Sequence, residues 1–321
     1  MRILLAVDTR NDPRMAAAYV AERFGSAPLE VDVLTVTADE ARGGGHGQDA
    51  TRDGAVVAAE VAERVREIGA VTHVATHVER GRDATAVIAA AAARLASDIV
   101  LVETAPRGLF ARLRAASVSH GLLRRAPCAV ELLKPYTAAP RSLFNVLVLI
   151  AGERLADYPL HRLAAWPWPA GTHLRLLAAM PPATSELPVE ANVFRVFDSV
   201  AAGRAAASRA GAALRAMAED LAAALDGRVE VDHGVLETRS SAAVLREAEE
   251  RYRASLIVTC AAALAGAPHA AGSAARGSAQ GLALRIATGA RCPVLVMRED
   301  AAPARRRLGR VKTFAPALVR A

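Results

Sequence analysis

The first residue that could take part in chemistry is Asp8. It directly follows the short apolar run Ile3–Val7, which has the composition of a buried parallel strand. In open α/β sheets, ligands bind beyond the carboxyl ends of the strands, so a carboxylate at this place could hold the ribose of a nucleotide. The same side chain could equally cap the loop that follows the strand. The sequence leaves both roles of Asp8 open.

Other reactive residue types form no catalytic pattern. Ser117, Ser119 and His120 lie too close together on one predicted helix to make a hydrolase triad, and no G-x-S-x-G turn occurs. The phosphate-binding patterns G-x-x-x-x-G-K-[ST] and G-x-G-x-x-G are also missing. His73 and His77 point to one face of a predicted strand, but the pair has no third ligand and does not predict a metal site. We therefore predict neither an enzyme nor a metal-binding protein.

Charge and cysteine content narrow the class of protein further. The chain of 321 residues has a net charge of +7, but residues 301–321 contain six basic residues and no acidic one, so the first 300 residues carry only +1. Nucleic-acid binding is therefore not expected, except through this basic tail. Three cysteines, Cys128, Cys260 and Cys292, form no metal-binding spacing and indicate reduced thiols in a core. No apolar run is long enough to span a membrane and no secretory leader is recognisable, so we expect a cytoplasmic protein.

The elements that position these residues recur twice along the chain. A second apolar run, Val146–Ile150, begins a new unit, and in each unit strands alternate with helices of 10–20 residues. This order predicts an α/β fold with two flavodoxin-like or Rossmann-like domains, each a five-stranded parallel sheet with helices on both faces. The predicted domains are residues 1–137 and 142–299, followed by a basic C-terminal tail at 300–321.

Corresponding elements of the two units differ in their spacing. Matching landmarks are 143 residues apart at the first strand and 164 apart at the last, so about 21 extra residues are predicted around Pro181–Asp198. Long alanine-rich helices are predicted at about Ala50–Ile68 and Gly203–Leu225. The strand after the second of these helices is predicted to end at Gly234.

Four short segments, taken together, resemble a known family. They are the strand end at Asp8, the segment Val78–Ala84 (Val-Glu-Arg-Gly-Arg-Asp-Ala), the strand Asp98–Val102 and the closing Ala126–Val130 (Ala-Pro-Cys-Ala-Val). Their order is similar to that of a universal stress protein domain, and its recurrence in the second half makes the chain resemble a tandem universal stress protein. The resemblance implies a non-catalytic stress-response protein that acts through contacts with protein partners.

The resemblance also implies where a nucleotide would bind. ATP-binding members of the family carry the motif Gly-x2-Gly-x9-Gly-Ser/Thr after the fourth strand, where glycines let the backbone approach a phosphate. When the first half is aligned on Cys128, the motif falls on these four positions: Glu103, Pro106, Ala116 and Ser117. All three glycines are replaced, so we expect a degenerate nucleotide site. The alternative is a sensor that binds ATP or another adenine nucleotide in the first half only, through Asp8, Val36 and Ser117.

The second half is expected to have lost the site. Its equivalent motif positions are Ala267, Ala270, Gln280 and Gly281, and Ala151 stands in place of Asp8. Sliding the alignment by three residues recovers a Gly-Ser pair at 277–278, but no glycine then lies at the position ten residues before it. We therefore expect no nucleotide in the second half.

Two further features predict contacts within the chain. In the resembling family, domains pair through the last strand, so Cys128–Leu133 and Cys292–Met297 are candidate edges that could join the halves into an intramolecular pseudo-dimer. A further homodimer of whole chains stays open. Both tryptophans lie in the proline-containing segment Trp166–Pro169, which predicts packing at the end of a helix, with an interaction surface as the alternative.

Overall fold

Short runs of leucine and β-branched residues form ten strands in the part of the chain that the structure describes. The structure is a computed structural model that describes residues 1–8, 12–37, 46–104, 118–134, 143–151, 158–180, 193–238, 240–260 and 284–298. The strands are β1 (Arg2–Val7), β2 (Leu29–Thr37), β3 (Val71–Arg80), β4 (Ile99–Glu103), β5 (Ala129–Leu133), β6 (Phe144–Ala151), β7 (Thr172–Met180), β8 (Glu230–Glu237), β9 (Leu256–Cys260) and β10 (Val294–Met297).

All ten strands belong to one sheet. Their order is β3-β2-β1-β4-β5-β10-β9-β6-β7-β8. Eight of the neighbouring pairs are parallel, and the pair at the centre, β5 with β10, is antiparallel. At this central pair Glu131 lies opposite Leu295, and Val130 lies opposite Val296. The predicted α/β class with parallel strands is confirmed, and the two strands predicted as edges lie at the middle of the sheet.

Helices cover both faces of the sheet. They are α1 (Pro13–Phe24), α2 (His46–Arg66), α3 (Ala84–Arg94), α4 (118–125), α5 (Leu160–Ala165), α6 (Val193–Ala224), α7 (Ser241–Arg246) and α8 (284–289). Buried side chains of α1, α2, α5 and α6 pack on one face, while those of α3, α4, α7 and α8 pack on the other. Each of the two core layers runs across both halves of the sheet. Because both faces are covered, inner strands such as β4, β9 and β10 are buried on both sides, as parallel strands usually are.

The two halves share local geometry as well as strand order. The chain enters β4 and β9 through a residue with left-handed backbone, Ala96 with φ 50° and Arg253 with φ 51°. Two residues later a polar side chain accepts a hydrogen bond from the first strand of the same half. Asp98 Oδ2 accepts from the Arg2 N–H at 2.7 Å, and Ser255 Oγ accepts from the Asn145 N–H at 3.3 Å.

Three predicted boundaries are wrong. Helix α2 begins at His46 and α6 begins at Val193, earlier than predicted, so the last part of the predicted insertion at 181–198 is helical and the rest lies outside the described residues. Strand β8 continues through Gly234 to Glu237. A Cβ at Gly234 would lie 3.0 Å from Arg175 Nη2, so the guanidinium of the neighbouring strand packs close to the glycine backbone.

The three cysteines lie in the core of the protein. Cys128, Cys260 and Cys292 are buried, as predicted, and none of the three forms a disulfide bond. Burial raises the pKa of the Cys128 thiol to about 12, so this sulfur stays protonated. Among the described helices, none has both the length and the apolar composition to cross a bilayer. The tail at 299–321 and the linker at 135–142 lie outside the described residues.

Candidate functional site

The predicted site lies where the parallel strands of the first half end. Strand β1 lies between β2 and β4, with Ala6 opposite both Leu34 and Val102. The carboxyl ends of these three strands therefore meet at one edge of the sheet, and Asp8 and Val36 stand there, both half-buried. This is the edge at which ligands bind in open α/β sheets.

Glu103 closes β4 and is only 8% exposed. It lies two residues after Leu101 on the strand, so it belongs to the face covered by α1 and α2, whereas Val36 packs against the core on the opposite face. Thr104, the next residue, is tied to β5: its N–H and its hydroxyl both donate to Leu133 O, at 2.9 and 2.7 Å. The chain thus leaves β4 alongside β5, with a buried carboxylate where the family motif has its first glycine.

The end of β2 is covered closely by a helix. Gly54 of α2 packs against this strand, and a Cβ there would lie 3.0 Å from Thr35 Cγ2 and 3.1 Å from Thr37 Cγ2. On the other side, Thr37 O accepts a hydrogen bond from the Gly81 N–H at 3.0 Å. The strand end next to Val36 is therefore fixed by helix α2 and by the turn after β3.

The remaining predicted positions of the site cannot be placed. Pro106, Ala116 and Ser117 lie outside the described residues, as do Ala267, Ala270, Gln280 and Gly281 of the second half. The structure thus brings Asp8, Val36 and Glu103 to one sheet edge. That Pro106, Ala116 and Ser117 join them stays a prediction.

The same edge of the second half is apolar. The register of β6 with β7 and β9 places Ala151, Ala179 and Cys260 at the ends that correspond to Asp8, Val36 and Glu103. Ala179 and Cys260 are buried. Two of these residues are alanines and the third is a cysteine, so none of them supplies a carboxylate to a ribose.

A buried polar cluster that sequence reasoning missed lies between the halves. Arg23 of α1 and Glu131 of β5 are both 0% exposed, with Arg23 Nε 3.8 Å from Glu131 Oε1. The hydroxyl of Tyr19, one helical turn before Arg23, donates to the same carboxylate oxygen. We call Tyr19, Arg23 and Glu131 the junction cluster, because β5 is the strand on which the two halves meet.

Arg23 also reaches into the second half. Its Nη1 donates to Pro167 O at 2.9 Å. Its guanidinium lies over the ring of Trp168 at 4.7 Å and near that of Phe144 at 5.7 Å, which are cation–π distances. Trp168 is buried and its Nε1 donates to Leu163 O of α5 at 2.8 Å, so the predicted packing of this segment at a helix end is confirmed.

Burial controls the ionisation of the junction cluster. It raises the pKa of Glu131, and the nearby Arg23 charge and the Tyr19 hydrogen bond oppose this only in part. Burial likewise raises the pKa of Tyr19 well above its usual range and lowers that of Arg23. An arginine stays protonated despite such a shift, so the cluster holds a buried cation close to a carboxyl group.

A second contact joins the halves near the opposite face. Lys134, at the end of β5, is buried and its Nζ donates to Ala287 O at 3.0 Å. Ala287 lies in the last turn of α8, where backbone carbonyls lack helical partners and favour a cation. Burial lowers the pKa of Lys134.

The outer strands of the second half carry a polar group of their own. Arg175 Nη1 lies 3.5 Å from Asp232 Oδ2, and its Nη2 lies 4.0 Å from Glu247 Oε1. Tyr252 donates to His173 O at 2.8 Å and lies beneath the Arg175 guanidinium. A π-helical turn, Glu247–Arg251, follows α7, and its first residue is the Glu247 that lies near Arg175 of β7.

The histidines predicted to share a face have different surroundings. His77 Nε2 lies 2.8 Å from Asp32 Oδ1, whereas His73 is exposed. Within the described ranges, no three His, Cys, Asp or Glu side chains lie close enough together to hold a metal ion.

Comparison with known proteins supports the resemblance. Residues 1–134 match the sequence model of the universal stress protein family. A universal stress protein from Archaeoglobus fulgidus DSM 4304 has a similar structure, with a TM-score of 0.57 and 18% identity, covering 92% of this chain and 96% of that one. A putative universal stress protein from Pseudomonas aeruginosa UCBPP-PA14 has a TM-score of 0.51 and 16% identity, with 92% of each chain covered.

A functionally unknown protein from Pseudomonas aeruginosa PAO1 is also similar in structure. Its TM-score is 0.51 and its identity 15%, again with 92% of each chain covered. No curated protein matches this chain. Identities this low show a shared fold and nothing finer. The match of the first half to the family is the more specific finding, and the chain therefore contains a universal stress protein domain at residues 1–134.

Proposed function

We propose that the protein is a non-catalytic stress-response protein that acts through contacts with protein partners and whose nucleotide sites are degenerate in both halves. The observation that carries this proposal is Glu103. A carboxylate that is 8% exposed stands at the end of β4, where the family motif requires a glycine beside a phosphate. A side chain at that place takes the space that a glycine leaves for the close approach of a phosphate to the backbone, and an ionised carboxylate there would also repel a polyphosphate.

The second half supports the same proposal. Its strand ends carry Ala151, Ala179 and Cys260, which offer no carboxylate to a ribose. We propose that residues 142–299 are nevertheless a second domain of the same type as residues 1–137. The support is the shared strand order and the shared left-handed turns at Ala96 and Arg253.

Under this proposal the chain is an intramolecular pseudo-dimer. The antiparallel contact of β5 with β10, the Arg23 contacts with Trp168 and Pro167, and the Lys134–Ala287 contact all support it. A ten-stranded sheet with helices on both faces offers a large stable surface for protein partners. Binding of such partners requires no catalytic group.

The alternative is a sensor with an adenine nucleotide in the first half only. One observation favours it: Asp8 and Val36 stand half-buried at the same strand edge, as a nucleotide-binding half requires. Ser117 would complete that site.

Thermal unfolding with and without millimolar ATP and Mg²⁺ separates the two proposals. A ligand at about 100 times its dissociation constant stabilises the folded protein by roughly 2.7 kcal/mol, which corresponds to a shift in Tm of several degrees. We expect no shift for the wild-type chain. A shift that disappears in Asp8→Ala but persists in Asp220→Ala, an exposed control on α6, would contradict the leading proposal and establish the sensor.

A further inference from the structure

We propose that the junction cluster makes β5 selective for its partner strand. In this selectivity β5 pairs with β10 of the second half and does not pair with β5 of a second copy of the chain. The preferred partner is a strand edge with an apolar residue at its centre, here Leu295. The inference does not depend on whether the strand ends bind a nucleotide.

The first argument for this selectivity is that β5 and β10 are equivalent strands of the two halves. Cys128 and Cys292 occupy equivalent places, so Glu131 and Leu295, each three residues later, are also equivalent. In the sheet these two residues lie directly opposite each other. Any copy of the first half that docked on β5 in the same register would therefore place its own Glu131 opposite Glu131.

Such a pairing would bring two carboxyl groups together in the core. Opposite residues of an antiparallel pair have Cα atoms about 4.5–5.5 Å apart, and their side chains point to the same face. Glu131 is fully buried on the face of the sheet that α1 covers. Like charges directly opposite each other destabilise strand pairs, and the absence of water strengthens the repulsion. Leu295 removes this conflict and adds its own side chain to the core.

The second argument for this selectivity is that the second half supplies aromatic rings to Arg23. Phe144 begins β6 and lies opposite Thr172, and Trp168 precedes Thr172 by four residues. The equivalent residues of the first half, 143 positions earlier, are Met1 and Gly25.

A second copy of the first half would therefore offer Arg23 neither of the rings that the second half supplies, at 4.7 and 5.7 Å from its guanidinium. The buried cation would keep Phe24 of its own helix and lose its aromatic cover across the junction. Both the carboxyl group on β5 and the arginine on α1 thus favour the second half over another first half.

A double-mutant cycle in the full chain tests this selectivity. Leu295→Glu gives β10 the central residue that a second copy of β5 would present, and Leu295→Gln is the uncharged control of the same size. The stability of each Leu295 variant is measured in two backgrounds, one with Glu131 and one with Glu131→Gln. The substitution Glu131→Gln keeps the size of the side chain and removes its charge. The readout is the equilibrium constant for unfolding in denaturant.

We expect Leu295→Glu to raise the unfolding constant about tenfold or more beyond Leu295→Gln when Glu131 is present, and the two to agree within about threefold in the Glu131→Gln background. An equal difference in both backgrounds, or no difference at all, would overturn the proposal. If Leu295→Glu does not fold, circular dichroism of Glu131→Gln/Leu295→Glu decides: recovery of the fold supports selectivity. Failure of that double variant, with Glu131→Gln alone folded, contradicts it.

Discussion

Arg23→Met is expected to lower the free energy of unfolding by about 3–5 kcal/mol at neutral pH, because it leaves the buried Glu131 without its cation. Both side chains are 0% exposed, so water cannot replace the lost interaction. The thioether chain of methionine fills much of the space between Phe24, Phe144 and Trp168, so the loss reflects charge more than volume. Equilibrium denaturation followed by circular dichroism measures it.

Two matched variants separate this effect from a general loss of packing. In Arg23→Met/Glu131→Leu both charges are replaced by apolar groups, and most of the lost stability should return. Arg94→Met removes the exposed ion pair of Arg94 with Glu79 and should cost less than about 1 kcal/mol. A deficit for Arg23→Met no larger than that for Arg94→Met would contradict the role of the junction cluster.

The deficit of Arg23→Met should also depend on pH. Burial already raises the pKa of Glu131, and removal of the Arg23 charge raises it further. A carboxyl group with a raised folded-state pKa contributes most to stability below its unfolded pKa, near 4.3, and loses that contribution as the pH rises through the folded value. The deficit should therefore be smaller at pH 5 than at pH 8, and a deficit independent of pH would show that Glu131 is not its cause.

Trp168→Ala is expected to cost about 3–5 kcal/mol, because it removes a large buried ring from the junction between the halves. The indole packs in the core of the α1 face and covers the Arg23 guanidinium at 4.7 Å. Its loss leaves a cavity and exposes the buried cation to a void. Denaturant unfolding, followed by the fluorescence of the remaining Trp166, reports the change.

Trp168→Phe is the matched control for this prediction. It keeps an aromatic face for Arg23 and loses the hydrogen bond from Nε1 to Leu163 O, so we expect a cost of only about 1–2 kcal/mol. Equal costs for the two substitutions would mean that the hydrogen bond, and not the ring, accounts for the role of this residue.

The succession of strands and helices along the chain could be predicted from the sequence because short apolar runs alternate with amphipathic segments in a fixed order. The placement of Asp8 at the end of β1 followed from the same pattern. Helix starts were predicted less well, since α6 begins at Val193 in a segment without a strong apolar period. The position of Gly234 within β8 could not be predicted, because it depends on a side chain of the neighbouring strand.

The junction cluster was missed for a physical reason. Arginine and tyrosine on a helix are usually assigned to its solvent-facing side, and the partners Tyr19 and Glu131 are 112 residues apart in the chain. One signal was available: Glu131 interrupts the otherwise apolar strand Ala129–Leu133. A carboxyl group in a strand buried on both faces must have a partner, so this residue alone predicts a buried cation or hydroxyl nearby.

Hydrogen exchange of the backbone amides in the full chain tests the central claim, that the two halves form one sheet through β5 and β10. We expect amides of these two strands to exchange among the slowest in the protein, because both strands lie at the middle of the sheet. Amides of the outer strands β3 and β8 should exchange faster, because each of them pairs with one neighbour among the described strands. Exchange of β5 and β10 at the rates of β3 and β8 would contradict this claim and show that the halves do not pair.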